Sequence, residues 1–156
     1  MMCSGIALAY SEMPVALIKK HRLDERVHER GGEKEVRFLY REVERILPIL
    51  HEGQLRIVRW GTRRENSKAL PYTGWTWLKS VEAGRWGELD ANEVVIPATL
   101  GHEKGIWYRI RQGIRAVLVE DEHRKPVVYM MVEPASHYYQ TMTKSKRMPV
   151  LIGERI

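Results

Sequence analysis

The sequence is poor in cysteine and contains no long run of apolar residues. Cys3 is the single cysteine among 156 residues, so no disulfide can form within the chain, which is typical of a reducing compartment. No stretch approaches the roughly 18 consecutive apolar residues that a membrane-spanning helix needs. Residues 1–8 lack the basic segment of a signal peptide. We therefore predict a cytoplasmic protein without a membrane partner.

The common metal-binding and nucleotide-binding motifs are absent as well. The sequence has no CxxC, HExxH, Walker or GxGxxG motif, and its six histidines are scattered. We therefore predict that the protein uses neither a metal nor another cofactor. What the sequence does have is an excess of positive charge, +6 at pH 7. A basic chain of this length predicts one domain, residues 1–156, with an anionic partner, most often nucleic acid.

Short apolar runs between turn residues predict a chain rich in β-strands. Residues 19–45 are dense in charge of both signs and predict a solvated helix and loop, whereas Pro48 and Gly53 indicate breaks between strands. From residue 92 onward the regular spacing of the runs predicts a meander of antiparallel strands. The predicted strands are residues 6–10, 36–40, 55–60, 94–96, 106–110, 114–119, 127–132 and 148–152. A helix is predicted after Pro14, and residues 137–143 predict a short helix or loop.

The position of Cys3 suggests a specific chemistry. If the two preceding methionines were absent, Cys3 would carry a free α-amino group beside its thiol. The amine can form a Schiff base with an aldehyde, and the thiolate can then close a five-membered ring on the same carbon. Because an α-amino group titrates about two units or more below a lysine, much of it is neutral and nucleophilic near pH 7. The alternative is an unreactive cysteine in a frayed terminus.

Tryptophan is concentrated in the middle of the chain. Residues 60–86 hold four of the five tryptophans, interleaved with arginine and lysine. Aromatic faces stack on unpaired bases and cations follow phosphates, so this combination suits a groove for single-stranded nucleic acid. The alternative is that the tryptophans form the core, which we expect for at least two of the four tryptophans Trp60, Trp75, Trp77 and Trp86.

Four segments resemble those of one protein family in the family's own order. The start, Met2-Cys3-Ser4-Gly5, resembles an MCGR start, and residues 55–61 resemble a strand that ends in RWG. Residues 95–98, with Glu103 six residues after Pro97, resemble the segment IPADGFYE, and residues 147–152 are similar to an ending HDRMPVIL. These are segments of the SRAP family, the SOS-response-associated peptidase domains, and they extend over nearly the whole chain.

The resemblance implies an α+β fold built around a curved, barrel-like antiparallel sheet with a few short helices. It also implies that Cys3, once N-terminal, captures the ring-opened aldehyde of an abasic site in single-stranded DNA as a thiazolidine, and that the protein is a thiol autopeptidase. Glu103 would transfer protons in this reaction. Single-stranded DNA with abasic sites is then the partner of a monomeric protein. The expected DNA contacts are Arg59, Trp60, Arg63, Trp75, Trp107, Lys146 and Arg147.

The chain departs from the family pattern at three places. Met1 would block ordinary methionine removal, so either Met2 is the true start or self-cleavage exposes Cys3. Ser145 stands where the family has a catalytic histidine and is therefore counted among the predicted catalytic residues. Either Glu103 alone carries the proton transfers and the reaction is slower, or another histidine, His137 or else His102, enters the site. The family's asparagine segment has no clear counterpart among residues 72–77, where Thr73 or Thr76 could donate a hydrogen bond. These departures suggest a divergent member of nucleoid-associated, viral or mobile-element type.

Two other functions are therefore considered beside covalent capture. The first is a non-catalytic module that binds single-stranded nucleic acid on the same fold. The second is an N-terminal-nucleophile amidohydrolase that acts on a small substrate.

Overall fold

Two β-sheets and three short α-helices make up residues 2–156, which the computed structural model describes. Helices α1 to α3 are Val15–Lys20, Leu78–Glu82 and His137–Thr143. In this part of the chain no helix has the length and apolar character needed to cross a membrane. Strands β1 to β12 are, in chain order, Gly5–Ala9, Val27–Arg30, Glu33–Leu39, Ile46–His51, Gln54–Trp60, Trp75–Trp77, Asn92–Ile96, Leu100–Glu103, Ile106–Arg109, Ile114–Glu120, Pro126–Pro134 and Arg147–Pro149.

The larger sheet closes on itself. Its strands β10, β7, β4, β5 and β11 are neighbours in that order, and β11 pairs again with β10, which completes a five-stranded barrel. The long strand β11 makes the closure possible, because it is parallel to β5 at Val127 and antiparallel to β10 from Pro126 to Met130. Strands β6 and β12 pair with the second half of β11, outside the five strands of the barrel. The predicted α+β fold with a barrel-like sheet is therefore confirmed.

The smaller sheet is antiparallel throughout and has β1 at its centre. Its order is β2-β3-β1-β8-β9. Strand β1 consists of small and apolar residues and is buried along nearly its whole length, as expected for a strand covered on both faces. Gly5 lies opposite Leu39 on β3 and opposite His102 on β8. The residues just before β1 are therefore held in the interior beside the end of β8.

Two of the four clustered tryptophans belong to the core. Trp60 is 1% exposed and packs edge-to-face against Tyr40 and Trp75, at ring-centroid distances of 5.0 and 5.6 Å. Trp86 lies in a second apolar cluster, where its ring is 4.9 Å from that of Tyr129. The prediction that at least two of these tryptophans are core residues is confirmed.

Three predictions about secondary structure were wrong. Residues 19–45 contain the hairpin of β2 and β3, which turns at Gly31 and Gly32. Strand β3 was predicted at residues 36–40, but β2 was missed because it is an exposed edge strand without alternating apolar residues. Pro48 lies inside β4. The missing N–H of Pro48 is tolerated because β4 pairs with β7 at Leu50 alone. No hydrogen bond between β4 and β7 therefore requires an N–H from Pro48. The predicted meander is also divided, since β9 belongs to the small sheet and β10 to the barrel.

Candidate functional site

Cys3 is firmly held in the interior rather than frayed. Its side chain is fully buried, and its carbonyl accepts a hydrogen bond of 3.0 Å from Nε1 of Trp75. The next residue continues the sheet, because the Ser4 amide donates to the carbonyl of His102 at 2.8 Å and the Ser4 carbonyl accepts from the Tyr40 amide at 2.9 Å. The alternative that Cys3 lies in a frayed terminus is therefore wrong.

The protonation of the Cys3 thiol is set mainly by burial. Burial raises the pKa of the thiol, and the negative charge of Glu103 raises it further. Hydrogen bonds with Tyr108 and with the backbone lower this pKa, but only in part. The thiol donates to the carbonyl of Gly5 at 3.3 Å. A protonated, buried thiol is a poor nucleophile. In the chain that retains Met2, burial therefore disfavours the reactive thiolate form of Cys3.

Glu103 is a buried carboxylate in the same interior cluster. It ends β8, its side chain is fully buried, and within the described chain neither of its oxygens makes a hydrogen bond of ordinary length and angle. Burial raises the pKa of Glu103, and the nearby Ser145 hydroxyl and Lys104 ammonium lower it only partly. A carboxyl group whose pKa lies above its usual range can give and take protons nearer to neutral pH.

Ser145 is also part of this cluster. It is buried between α3 and β12, and its hydroxyl donates to the carbonyl of Arg147 at 3.1 Å. The structure therefore brings together three of the four residues that the sequence predicted for catalysis: Cys3, Glu103 and Ser145.

The fourth predicted residue, His137, does not join them. It is exposed at the first position of α3, and among the described contacts none links it to Cys3 or Glu103. The helix turns a different residue inward, Tyr139, which is fully buried. The prediction that His137 replaces the family histidine was therefore wrong, because the phase of the helix places it on the solvent side.

His102 lies on the opposite face of β8 from Glu103. Its Nδ1 is 3.3 Å from the Ser4 hydroxyl, and its ring is 4.6 Å from that of Trp107. Burial lowers the pKa of His102, and the positive charges of Arg41 and Arg37 lower it further. Neighbouring residues of a strand point to opposite faces, so Glu103 faces the interior and His102 does not.

Two tyrosines that the sequence analysis did not select complete the cluster. The Tyr108 hydroxyl is 3.0 Å from that of Tyr139, and the two buried rings meet edge-to-face with their centroids 5.4 Å apart. Tyr108 on β9 lies opposite Gly101 on β8, and a Cβ at Gly101 would be 2.5 Å from the tyrosine ring. The signal in the sequence was the alternation of β8 and β9, which places Gly101, Glu103 and Tyr108 on one face.

A groove of about 220 Å³ opens beside residue 2. The Arg147 guanidinium lies over the Trp77 ring at 4.9 Å, and its Nη1 approaches the Met2 sulfur at 3.7 Å. Trp75 and Trp77 are each partly exposed here. An aromatic and cationic surface therefore adjoins the residue before Cys3. The groove is lined by Met2, Thr73, Trp75, Thr76, Trp77, Val132 and Arg147.

The two threonines considered as hydrogen-bond donors have other partners. The Thr76 hydroxyl accepts from Nε1 of Trp86 at 3.0 Å, and the Thr73 hydroxyl accepts from the amide of Trp75 at 3.3 Å. Both hydroxyls still lie on the wall of the groove. Each therefore helps to fix a tryptophan.

The other predicted DNA contacts are distributed over the surface. Trp60 was wrongly assigned, because it is buried and its Nε1 donates to the Gly74 carbonyl. Arg59 donates to the buried carboxylate of Asp121 at 2.8 Å. Arg59 and Arg63 line a separate cavity of about 280 Å³, and Lys146 is exposed next to Arg147.

Trp107 lies away from the interior cluster, on the outer face of the small sheet. The guanidinium groups of Arg30 and Arg37 approach its ring at 5.0 and 4.9 Å, and Glu35 accepts hydrogen bonds from both arginines. Trp107 shares this face with its register partner His102. The structure therefore does not bring Trp107 together with Cys3 and Glu103.

Comparison with protein-family models, with curated proteins and with solved structures finds no match to this chain. Across residues 2–156 no three His, Cys, Asp or Glu side chains are grouped so as to hold a metal ion.

Proposed function

We propose that the protein captures abasic sites in single-stranded DNA covalently through Cys3, after the Met2–Cys3 bond has been broken. The observation that carries the proposal is that Cys3 lies beside the buried carboxyl group of Glu103 and is hydrogen-bonded to Trp75 in the wall of an aromatic and cationic groove. The sequence separates Cys3 and Glu103 by 100 positions, and the pairing of β1 with β8 brings them together. An amine, a thiol and a proton carrier are the groups that aldehyde capture needs.

The groove supports single-stranded DNA as the partner. Trp75 and Trp77 can offer ring surface to unpaired bases, and Arg147 can bind a phosphate beside them. In a duplex the bases are stacked within the helix, so their faces are not available to such side chains. The net charge of +6 favours an anionic partner as well.

The covalent reaction balances without an oxidant or a reductant. The α-amine of Cys3 attacks the aldehyde carbon of the opened sugar, and loss of one water from the carbinolamine gives the imine. The sulfur then adds to the imine carbon, a C–S bond forms, and the thiol proton ends on the ring nitrogen. Protonated Glu103 is suited to donate a proton to the hydroxyl group of the carbinolamine, which then leaves as water.

Met2 opposes the reaction in two ways. While it is attached, the nitrogen of Cys3 is an amide and cannot form an imine. Its side chain also forms part of the groove wall, where the sulfur meets Arg147. Removal of the methionines, by an aminopeptidase or by self-cleavage, would therefore have two effects. It would free the α-amine of Cys3, and it would widen the groove.

One observation favours a second function. The thiol of Cys3 is fully buried in the chain that retains Met2, so this form could bind single-stranded DNA in the groove without any covalent step. Non-covalent binding is therefore the alternative to capture.

The proposed function can be tested with protein released from a cleavable leader so that it begins at Cys3. This protein, mixed with single-stranded DNA carrying one abasic site, should give an adduct that survives denaturing electrophoresis without a reductant. A Cys3→Ser protein keeps the amine and loses the thiol, so it should give an adduct only when borohydride reduces the imine. Protein whose intact mass shows that it retains Met2 should give no stable adduct without a reductant, because the nitrogen of Cys3 is then an amide. If the Cys3→Ser protein forms an equally stable adduct, ring closure through the thiol is the wrong mechanism.

A further inference from the structure

Two buried phenols lie behind the thiol of Cys3. Tyr108 lowers the pKa of the Cys3 thiol, and its hydroxyl oxygen lies 3.0 Å from that of Tyr139. The three side chains are at most 7% exposed and belong to one core cluster. They come from the segment before β1, from β9 and from α3, so three separate parts of the fold converge on the sulfur.

The geometry fixes the position of the Tyr108 hydroxyl. Its ring lies against Gly101, whose lack of a side chain leaves the space for it, and the edge of the Tyr139 ring packs against it. A buried phenol needs hydrogen-bond partners for its oxygen. The described structure offers it the sulfur of Cys3 and the oxygen of Tyr139.

Tyr108 is placed to act as a donor toward the sulfur, because the thiol directs its own proton to the carbonyl of Gly5. Burial raises its pKa well above the ordinary value, and the neighbouring Cys3 and Tyr139 raise it further, so the phenol keeps its proton. A donated O–H stabilises a thiolate more than a thiol, because hydrogen bonds to charged groups are the stronger ones. The titratable groups that face the sulfur are Glu103 from β8, Tyr108 from β9 and Tyr139 from α3.

We propose that the Tyr108 hydroxyl donates a hydrogen bond to the sulfur of Cys3 and holds it ready for ring closure, while Tyr139 orients that hydroxyl. The proposal rests on the proposed function and adds a residue to it. During ring closure the thiol proton passes to the imine nitrogen, and the Tyr108 proton stays on its own oxygen. Tyr108 touches a reacting atom, whereas Tyr139 is a positioning residue.

The test compares three phenylalanine variants in protein that begins at Cys3. Tyr108→Phe and Tyr139→Phe each remove one buried hydroxyl and keep the ring, and Tyr138→Phe is the matched control, since Tyr138 is 66% exposed on the same helix. The first measurement is the rate of thiol alkylation by iodoacetamide across pH. The second measurement is the rate of adduct formation with single-stranded DNA that carries an abasic site. Borohydride added at early times traps the imine, and the stable adduct is measured separately in samples without borohydride.

Tyr108→Phe should slow both thiol alkylation at neutral pH and formation of the stable adduct roughly tenfold, because a hydrogen bond to a charged group is lost. The midpoint of the alkylation profile should move to higher pH, while the early yield of trapped imine stays at the wild-type level. Tyr139→Phe should shift the midpoint in the same direction by less, and Tyr138→Phe should not shift it.

Several outcomes separate this inference from the proposed function. A Tyr108→Phe profile that coincides with the wild-type profile overturns the inference. Should Tyr108→Phe fail to fold, Tyr139→Phe decides, and an unchanged midpoint in that variant overturns the inference. If wild-type protein forms no adduct but Tyr108→Phe still shifts the alkylation midpoint, the proposed function fails and the role of Tyr108 toward the sulfur is supported.

Discussion

Replacing Glu103 by glutamine should make the protein more stable and less active. The carboxyl group is fully buried, and the nearby Ser145 hydroxyl and Lys104 ammonium offset the cost of burial only partly, so in its charged form the group costs free energy of folding. A neutral amide of nearly the same shape loses less on burial. An unsatisfied buried polar group typically costs about 1–3 kcal/mol, and more if it is charged. We therefore expect Glu103→Gln to raise the free energy of unfolding at pH 8 by about 1–3 kcal/mol.

The gain should depend on pH in a defined direction. Burial raises the pKa of Glu103 above its ordinary value of 4.5, so the folded state binds this proton more tightly than the unfolded state. The favourable contribution of the protonated group is full below about pH 4.5 and is lost as the pH rises through the raised pKa. Near pH 4.5 the two proteins should therefore differ by less than about 0.5 kcal/mol.

Thermal and urea unfolding at pH 4.5 and pH 8 measure the effect. For a domain of this size the expected gain at pH 8 corresponds to a rise in Tm of roughly 2–12 °C. Glu120→Gln is the matched control, because Glu120 is exposed at the end of β10, and it should change Tm little. In crosslinking with protein that begins at Cys3, Glu103→Gln should be at least about tenfold slower, in line with the loss of a general acid. A Tm lower than wild type at pH 8 would refute the claim that the buried charge of Glu103 destabilises the fold, and a wild-type crosslinking rate would remove Glu103 from the reaction.

Three further predictions concern the neighbourhood of the site. Gly101→Ala should displace the Tyr108 ring and destabilise the protein by more than about 1 kcal/mol, whereas Gly87→Ala, which meets open space, should be tolerated; urea unfolding of both variants checks this. Arg147→Gln should weaken non-covalent binding to single-stranded DNA and reduce its salt dependence by about one counterion, and an unchanged slope in a salt titration would argue against a phosphate contact. Asp121→Ala should lose about 2–4 kcal/mol in urea unfolding, because the Arg59 guanidinium and two backbone amides lose their buried acceptor; an unchanged midpoint would contradict this.

Most of the strands could be predicted because their apolar runs are long and bounded by turn residues. The run at β5 alternates clearly, and the run at β1 is apolar throughout, so both were found from the sequence. The pairing of the strands could not be predicted in the same way. The parallel contact between β11 and β5 that closes the barrel joins residues about 70 positions apart, and no local pattern records it.

The candidate site was predicted in part for a similar reason. Cys3 and Glu103 were selected by their chemistry and by motif spacing, and both lie in the buried cluster. Tyr108 and Tyr139 carry no motif, and their roles arise only where β9 and α3 meet. His137 was misplaced because a helix of seven residues allows little periodicity from which to assign its buried face.

The mass of the adduct tests the central claim most directly. Protein that begins at Cys3 should be incubated with a short single strand carrying one abasic site, without borohydride, and the product measured by intact mass spectrometry under denaturing conditions. The account predicts a species whose mass is that of protein plus DNA less one water, and digestion should locate the modification at Cys3. The same protein with Cys3→Ser should give no such species. A wild-type sample that contains only free protein and free DNA, or an adduct located at a lysine, would contradict covalent capture through Cys3.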